Sequence, residues 1–266
     1  MTGTVQDRWA SGDVYEPYVG RWSRLVAREF LAWLDAPAGL DWLDVGCGTG
    51  ALAEGVAQDC APGRLAGVDP SAGFLDFARR RLGGTGAEFQ QADAQGLPFA
   101  AAEFDRIVSG LVLNFVPDQP RAAAEMARVV RPGGEVALYV WDYAEKMELM
   151  RHFWDAAVAL DPHARTLDEA QRFPICRPAA LQALFEAAGL AAVETRAIDI
   201  PTIFRDFDDY WTPFLGGQAP APGYCMSLDE GARGALRERL RATLPARPDG
   251  SIHLVARAFA VRGRKG

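Results

Sequence analysis

Gly46, Gly48 and Gly50 are spaced as in turns whose backbone amides hold a ligand. They stand in Leu-Asp-Val-Gly-Cys-Gly-Thr-Gly, residues 43–50, between an apolar run and a helical pattern. Glycine lets the backbone approach a ligand closely and adopt positive φ, and a helix that begins there adds oriented amides and a positive dipole end. The turn predicts a nucleotide-type ligand. The same glycines with Ala51 also match the dinucleotide pattern G-x-G-x-x-G/A, and a tight turn without a ligand remains an alternative.

Two aspartates follow the next two predicted strands. Asp69 ends the run Ala-Gly-Val-Asp, where a carboxylate can accept two hydrogen bonds from a ribose diol or can begin a helix as its cap. Asp93 follows Gln-Gln-Ala, where it can accept from the exocyclic amine of adenine while the Ala94 amide faces the ring. An isolated aspartate in a loop is also typical of a plain turn. Together the two aspartates favour an adenosine-type ligand.

The elements that must position these residues alternate between short apolar runs and helical patterns, which is typical of βα units around a parallel sheet. Strands are predicted near 41–45, 64–68, 86–90, 104–109, 134–141, 191–200 and 252–262. Helices are predicted near 18–34, 50–58, 71–82, 119–130, 148–160, 177–188 and 228–243. Pro132-Gly133-Gly134 is expected to end a helix and to turn the chain into the fifth strand. Ligands of such sheets bind at the carboxyl ends of the strands.

Composition and charge restrict the class of protein. The 266 residues are 49% hydrophobic and 24% charged, as in a globular enzyme of one elaborated domain or a core with a lid. A net charge of -7 without a basic stripe argues against a nucleic-acid partner. The basic run at 79–81 is interpreted as a helix end and the run at 262–265 as a solvated tail.

Other features of the sequence argue against membrane insertion, secretion and a metal centre. No apolar run is long enough to span a bilayer, and the first residues lack the pattern of a secretory signal, so the cytoplasm is expected. Four cysteines and three histidines show no metal-ligand spacing, so we expect no metal and reduced thiols. The oligomeric state is not predicted.

Five motifs in a fixed order resemble class I methyltransferases that depend on S-adenosylmethionine. They are Leu-Asp-Val-Gly-Cys-Gly-Thr-Gly (43–50), Gly-Val-Asp-Pro-Ser (67–71), Ala-Asp-Ala…Leu-Pro-Phe (92–99), Phe-Asp-Arg-Ile-Val-Ser (104–109) and Val-Val-Arg-Pro-Gly-Gly (129–134). The chain looks most like the small-molecule branch called methyltransferase type 11, which is related to ubiquinone-biosynthesis methyltransferases. The resemblance covers about residues 15–142.

The resemblance implies an α/β fold and a cofactor site. The expected fold is a Rossmann-like seven-stranded sheet of order 3-2-1-4-5-7-6 with strand 7 antiparallel, helices on both faces, and a small lid inserted after strand 5 and between strands 6 and 7. The expected cofactor is S-adenosylmethionine, with S-adenosylhomocysteine as the product. The residues expected to bind it are Tyr18, Asp44, Gly46, Cys47, Gly48, Gly50, Asp69, Pro70, Asp93, Ala94, Gly110 and Leu111.

The N-terminal segment 15–22 is expected to fold across the core. The Tyr18 ring over a sulfonium would provide cation–π attraction, and Arg21 is a candidate partner for the cofactor carboxylate. An amphipathic helix that docks by its aromatic side chains is an equal alternative for each of these residues.

No catalytic residue is assigned. Tyr15, Asp142 and His152 are candidate bases, and Asn114 is a candidate orienting group. Where many relatives carry a histidine pair this chain has Leu-Asn-Phe at residues 113–115, so a histidine base is absent at that point.

Three regions are expected within one structural domain. Residues 1–40 form an N-terminal helical cap, 41–142 the core that binds S-adenosylmethionine, and 143–266 the completion of the sheet with lid insertions at about 143–176 and 205–248. Aromatic residues crowd the regions after the fifth strand, where they line an apolar substrate pocket or form the core of the lid itself. They are Trp141, Phe153, Trp154, Phe204, Phe207, Tyr210, Trp211 and Phe214.

The predicted function is the transfer of a methyl group to a small organic molecule. The alternatives are an NAD(P)-dependent oxidoreductase and a non-catalytic module that binds S-adenosylmethionine. The oxidoreductase reading requires a Tyr-Lys or His-based pair, and Lys146 and Lys265 are the only lysines in the chain. The methyl acceptor is not predicted.

Overall fold

The fold is a seven-stranded sheet with helical connections. A computed structural model describes residues 16–217 and 219–266, and within these ranges the strand order is β3-β2-β1-β4-β5-β7-β6. The strands are β1 (Asp41–Val45), β2 (Arg64–Asp69), β3 (Glu88–Gln91), β4 (Phe104–Gly110), β5 (Val130–Trp141), β6 (Leu190–Phe204) and β7 (Ile252–Lys265). Neighbours among β1 to β5 pair in parallel, and β7 pairs with β5 antiparallel. The predicted fold class and strand order are confirmed.

The described residues form the seven predicted helices to within a few residues and three short helices that the sequence patterns did not predict. They are α1 (Arg21–Leu34), α2 (Ala51–Asp59), α3 (Ala72–Arg81), α4 (Gln119–Val129), α5 (Glu148–Leu160), α6 (Glu169–Arg172), α7 (Pro178–Ala187), α8 (Phe207–Trp211), α9 (Pro220–Ser227) and α10 (Glu230–Thr243). The Ser71 hydroxyl caps α3 by accepting from the Phe74 N–H at 3.3 Å, and Asp118 caps α4 through the Arg121 N–H at 3.0 Å. Such caps satisfy amides that a first helical turn leaves unpaired.

The predicted role of the Pro-Gly-Gly segment was wrong in one respect. Strand β5 begins at Val130, before the segment, and residues 132–134 lie inside it as an irregularity. Val130 pairs with Phe104, and the next pair joins Glu135 to Arg106, so extra residues bulge from β5. Gly133 has φ +77°, a conformation that glycine adopts without strain. The segment therefore bends the strand instead of introducing it.

The interpretation of residues 262–265 as a solvated tail was also wrong. These residues belong to β7. The Lys265 ammonium donates to the carbonyl oxygens of Arg128 and Val130 at 3.2 and 2.9 Å, at the C-terminal end of α4. Arg262 pairs with Glu194 at 2.7 Å. A cation at a helix C-terminus satisfies exposed carbonyls and opposes the helix dipole, so the run anchors the last strand.

The chain divides into two compact units. The sheet unit comprises Gly20–Trp141, Ile175–Ile198 and Ala258–Gly266, and the insert unit comprises Met1–Val19, Asp142–Pro174 and Asp199–Arg257. The ranges of the insert unit differ in detail from the expected cap and lid segments. The predicted three regions and the lid function stay predictions.

Each unit has its own core. In the sheet unit α1 packs against α2, and the Phe30 ring lies 4.7 Å from that of Tyr139. Of the aromatic side chains expected to crowd the regions after the fifth strand, all but Trp141 belong to the insert unit. They are buried, and the Phe153 and Phe214 rings stack with centroids 4.4 Å apart. These aromatic residues form a core of the insert unit, as one of the two sequence alternatives predicts.

Residues 16–217 and 219–266 contain neither a membrane-spanning helix nor a cluster of metal-binding side chains. No helix there has the length and apolar character that crossing a membrane requires. No group of three or more His, Cys, Asp or Glu side chains there is arranged to hold a metal ion.

A buried hydrogen bond between β4 and β1 gives a test of the fold. The Ser109 hydroxyl donates to the Val45 carbonyl at 2.7 Å, directly before the glycine turn. Ser109→Ala removes this buried hydrogen bond, and we expect a loss of about 1 kcal/mol in the free energy of unfolding. Urea denaturation with an unchanged m-value measures it. Thr243→Ala, which removes an exposed hydroxyl from α10, is the control. Equal stability of both variants would contradict the role of Ser109.

Candidate functional site

The glycine turn after β1 closes against the end of β2. Gly46, Gly48 and Gly50 all have positive φ, at +74°, +53° and +86°. The N–H groups of Gly46 and Cys47 both donate to the Val68 carbonyl, at 2.7 and 2.9 Å. A side chain at positive φ is strained, so glycine is required for this path of the backbone. The turn then leads directly into α2.

Asp69 joins the glycine turn to the start of α3. Its Oδ2 accepts from the Gly48 N–H at 3.0 Å, and its Oδ1 accepts from the Ser71 N–H at 2.8 Å. Each carboxylate oxygen has a second lone pair, so both can still accept from a ligand. Burial raises the pKa of Asp69, and the two amides partly oppose that rise. Pro70, which follows it, is exposed.

The segment after β4 lies against the same turn. A Cβ on Gly46 would come within 2.5 Å of Val112 Cγ1, and a Cβ on Gly110 within 2.5 Å of the Tyr139 hydroxyl. Leu111 has φ +65°, and its N–H donates to the Tyr139 carbonyl at 2.8 Å. The close approach requires glycine at both positions. It brings the carboxyl ends of β1, β2 and β4 together, as expected for a ligand site in a parallel sheet.

Asp44 is a buried carboxyl group within the strand that leads to the turn. It is 1% exposed, and neither oxygen has a hydrogen-bond partner in the described ranges. Burial and the nearby Asp69 carboxylate raise the pKa of Asp44 to about 8. The Ala53 N–H lies too far from ideal geometry to count as a hydrogen-bond donor, but it lowers this pKa in part. Burial also raises the pKa of the Cys47 thiol. In the part of the chain that the structure describes, the Asp44 carboxyl group therefore has neither an ion-pair partner nor a hydrogen-bond donor.

Asp93 lies in an exposed loop beside the end of β2. The Ala92 N–H donates to the Asp69 carbonyl at 3.2 Å, which holds the loop there. The Asp93 carboxylate accepts from the Gln95 N–H at 2.8 Å and from the Gln95 side-chain amide at 3.0 Å. The Gln95 side-chain oxygen Oε1 accepts from the Asp118 N–H at 3.1 Å, and Ala94 is buried. Asp93 is thus oriented by Gln95 and connected to the start of α4.

Glu125 and Arg128 of α4 hold the following part of this loop. The Glu125 carboxylate accepts from the Leu97 N–H at 2.8 Å. Arg128 donates to the carbonyl oxygens of Phe99 and Leu97 at 2.8 and 3.0 Å, and pairs with Glu125 at 2.7 Å. This ion pair lowers the pKa of Glu125. The loop that carries Asp93 is therefore fixed from both sides.

Several of these supporting residues were not predicted. Gln95, Glu125, Arg128 and Tyr139 act through contacts with distant parts of the chain, for which the sequence carries no local signal. Arg81 was interpreted as a helix-end cation, and it also donates to the Thr49 carbonyl in the glycine turn at 3.2 Å.

The candidate bases lie in different environments. Asp142 accepts from the amides of Glu145 and Lys146 at 3.0 and 3.2 Å, so its carboxylate stabilises a turn. His152 lies on α5 in the insert unit, where burial lowers its pKa. Tyr15 lies outside the described residues. The geometry of the described ranges does not single out one of them as a base, and the catalytic residue stays unassigned.

Asn114 and Tyr18 are both buried with unpartnered polar groups. Neither amide atom of Asn114, which follows β4 in the sheet unit, has a hydrogen-bond partner in the described ranges. Tyr18 belongs to the insert unit, and its ring lies 5.5 Å from that of Phe214. Its predicted contact with the cofactor stays a prediction. The Arg21 guanidinium lies over the Trp22 ring at 4.4 Å.

Comparison with known proteins places the motifs in a family. Residues 43–138 match a family model described as a methyltransferase domain. A 2-phytyl-1,4-naphtoquinone methyltransferase of Thermosynechococcus vestitus is 34% identical over 175 residues, which cover 61% of this chain and 77% of that protein. An uncharacterized protein of Mycobacterium tuberculosis is 33% identical over 149 residues, which cover 53% of this chain. The chain spans about half the length of that relative, 51%.

A solved structure extends the likeness in fold to most of the chain. The YcgJ protein of Bacillus subtilis matches with a TM-score of 0.59 and 21% identity, over 92% of this chain and 98% of that one. At this identity the match shows the fold alone. Because the relative from Thermosynechococcus is matched over most of its length, and the family model covers the glycine turn and the strands after it, the chain belongs to the class I methyltransferase family.

Proposed function

We propose that this chain binds S-adenosylmethionine at the carboxyl ends of β1, β2 and β4 and transfers its methyl group to a small organic molecule. The observation that carries the proposal is the hydrogen bond from the Gly48 N–H to Asp69 Oδ2, 3.0 Å long. It places a glycine turn with close backbone approach beside an acid that retains free lone pairs. Those are the groups that an adenosine ligand with a charged tail requires.

The residues present fit this cofactor. Asp69 would accept from the ribose hydroxyls, and Asp93 with the Ala94 amide would contact the adenine. The glycine turn, with Cys47, would face the methionine part. The unpartnered Asp44 carboxyl supports a cationic group there, because a buried carboxylate is stabilised by an opposite charge.

The segment after β4 would lie beside the reacting centre. Gly110 and Leu111 would contact the sulfonium and the adenosine, and Pro70 would lie near the ribose. Tyr18 is proposed as a further contact of the cofactor. When bound, S-adenosylmethionine supplies a methyl group already activated on sulfur. The chain then has to orient the acceptor and exclude water. Asn114 is the proposed orienting residue, because its buried amide offers donors and an acceptor that no described residue uses.

The acceptor is proposed to be a small organic molecule. A relative named 2-phytyl-1,4-naphtoquinone methyltransferase supports this class, and the net charge of -7 argues against a polyanion such as RNA or DNA. A cytoplasmic location and the absence of a nucleic-acid partner stay predictions.

Thermal shift with four ligands tests the proposal. S-adenosylmethionine and S-adenosylhomocysteine are expected to raise the melting temperature, because a ligand of the native state stabilises by mass action. NAD and NADP are expected to leave it unchanged. Stabilisation by nicotinamide cofactors alone would support the oxidoreductase alternative and refute the proposal. Binding of the sulfonium pair without methyl transfer to any member of a panel of quinones, phenols, amines and carboxylic acids would favour the non-catalytic module.

The two aspartates give a prediction for cofactor affinity. Asp69→Ala and Asp93→Ala each remove hydrogen-bond acceptors, and we expect each to weaken S-adenosylhomocysteine binding by about tenfold or more, since hydrogen bonds to charged groups are worth about 1.5–3 kcal/mol. Isothermal titration calorimetry measures the change. Asp76→Ala, which removes an exposed carboxylate from α3, is the control. Unchanged affinity in both site variants would overturn the site assignment.

Gly46→Ala gives a steric prediction. The new Cβ would meet Val112 Cγ1 at 2.5 Å on a backbone with φ +74°, so cofactor binding is expected to be lost and stability reduced. Val112→Ala added to this variant removes the clash but not the backbone strain, and recovery is expected to be partial. Gly96→Ala, where a Cβ meets nothing within 4 Å, is the control. Wild-type binding by Gly46→Ala would show that the turn does not hold the ligand.

Asp44 gives a prediction for pH dependence. Its pKa is raised from 3.8 to about 8, so the folded state holds the proton more tightly than the unfolded state. The stability that this proton provides is present at low pH and is lost as the pH rises from about 4 to about 8. Asp44→Asn has no such loss, so its stability relative to wild type should increase over that range in ligand-free protein. Chemical denaturation at a series of pH values measures the difference. Parallel pH profiles would contradict the burial of a protonated Asp44.

A further inference from the structure

The insert unit contains a buried hydroxyl group without a partner. Tyr18, in the turn Glu16–Gly20, is 2% exposed, and its hydroxyl makes no hydrogen bond in the described part of the chain. A buried hydroxyl that stays unpaired costs about 1–3 kcal/mol. A bound group that hydrogen-bonds to this oxygen would recover that cost.

A buried carboxyl group lies near this hydroxyl. Glu169 of α6 is 1% exposed, and its Oε2 accepts a short hydrogen bond from the Trp154 indole N–H. The Glu169 charge is close enough to contribute to the raised pKa of Tyr18, for which burial is the larger cause. A continuous series of ring contacts, from Tyr18 through Phe214 and Phe153 to Trp154, also connects the hydroxyl to the partner of the carboxyl group.

Arg151, whose charge lowers the pKa of Glu169, is already paired with another carboxylate. Arg151 of α5 donates from one terminal nitrogen to both oxygens of Asp168, at 2.7 Å each. Asp168 also caps α6 through the Ala170 N–H at 2.9 Å. Within residues 16–217 and 219–266, no ion pair within 4 Å joins a cation to Glu169. Among the described residues, the Glu169 carboxyl group thus has no ion-pair partner to supply the opposite charge that a buried carboxylate requires.

The Tyr18 ring and the Trp154 ring belong to one cluster of aromatic side chains. The Trp154 ring lies 5.5 Å from that of Tyr224 and 5.3 Å from that of Phe153. Phe214 stacks on Phe153 at 4.4 Å and contacts the Tyr18 ring edge-to-face at 5.5 Å. Aromatic faces attract cations, and a carboxylate among them adds charge complementarity. Rings of this kind with one acid are suited to an ammonium group.

We propose that Tyr18, Trp154 and Glu169 form the polar end of a binding site in the insert unit for a protonated amine that carries an apolar or aromatic group. The ammonium would donate to the Glu169 carboxylate and to the Tyr18 hydroxyl oxygen, with the rings around its carbon substituents. A neutral alcohol of the same shape satisfies the hydroxyl but leaves the carboxyl group without a charge partner. The proposal concerns binding within one unit and does not depend on methyl transfer.

Proton release should accompany this binding. Burial raises the pKa of Glu169 to about 8, so the free protein carries it protonated near neutral pH. The groups that act on it are Asp168, which raises its pKa, with Arg151 and the Trp154 N–H, which lower it. An ammonium selects the ionised form, so affinity is expected to increase about tenfold per pH unit below that pKa and to level off above it.

Calorimetric titration of the full chain with 2-phenylethylamine and with 2-phenylethanol tests the proposal. The amine is expected to bind saturably and at least about tenfold more tightly than the alcohol, and more tightly at pH 7.5 than at pH 6, with proton release visible as a dependence on buffer ionisation heat. Glu169→Gln and Tyr18→Phe are each expected to weaken the amine about tenfold. Glu230→Gln, which removes an exposed carboxylate from α10 of the same unit, is the control.

Three outcomes would overturn the proposal: no saturable binding of the amine up to millimolar concentration, equal affinity for amine and alcohol, or wild-type affinity in both site variants. Circular dichroism establishes that the variants are folded. If Glu169→Gln fails to fold, the pH dependence of amine affinity and the comparison of amine with alcohol, both measured on the unaltered chain, still test the proposal. A thermal shift with S-adenosylhomocysteine in the same preparations separates failure here from failure of the proposed cofactor site.

Discussion

The hydrogen bond between the Gly48 N–H and the Asp69 carboxylate is the contact on which the candidate site depends. It requires a backbone at positive φ, which glycine supplies, and a buried acid at the last residue of β2. The amides of Gly46 and Cys47 donate to Val68 beside it, so the whole turn is fixed relative to β2. The order of strands in a parallel sheet then decides which other segments reach this point: the loop of Asp93 from one side, and Gly110 from the other.

Much of the fold was predictable because local patterns specify it. Apolar runs predicted the seven strands to within a few residues in most cases, and helical patterns predicted helices such as α3 and α4, whose first turns are capped by Ser71 and Asp118. The failures have a common physical cause. The Pro-Gly-Gly segment reads as a strand breaker, yet Val130 before it pairs with Phe104. The basic C-terminal run reads as solvated, yet Lys265 meets carbonyls of α4. Pairing between distant segments overrode the local preference.

The residues of the candidate site also fall into two groups: those that a local sequence pattern predicts and those that acquire a role only through tertiary contacts. The glycine turn, Asp69 and Asp93 are visible in sequence because the backbone geometry and the acid must occur at set places after strands. The residues that hold them, among them Gln95 and Arg128, are ordinary in their local context and acquire a role only by tertiary contact. Tyr18 and Glu169 in the insert unit are the residues that the sequence predicts least. No spacing rule connects a tyrosine at the start of the described chain to a glutamate in a one-turn helix, and only the structure shows that both are buried.

Leu111 has a strained backbone conformation, whereas the glycines near it adopt positive φ without strain. A branched side chain at φ +65° is strained by roughly 1 kcal/mol or more, and the conformation is retained because its N–H is bonded to the Tyr139 carbonyl in the neighbouring strand. The segment after β4 is therefore held in one shape before any ligand arrives. The entropy of ordering this segment is lost when the chain folds instead of when it binds, so a ligand that contacts it has less ordering to oppose its affinity.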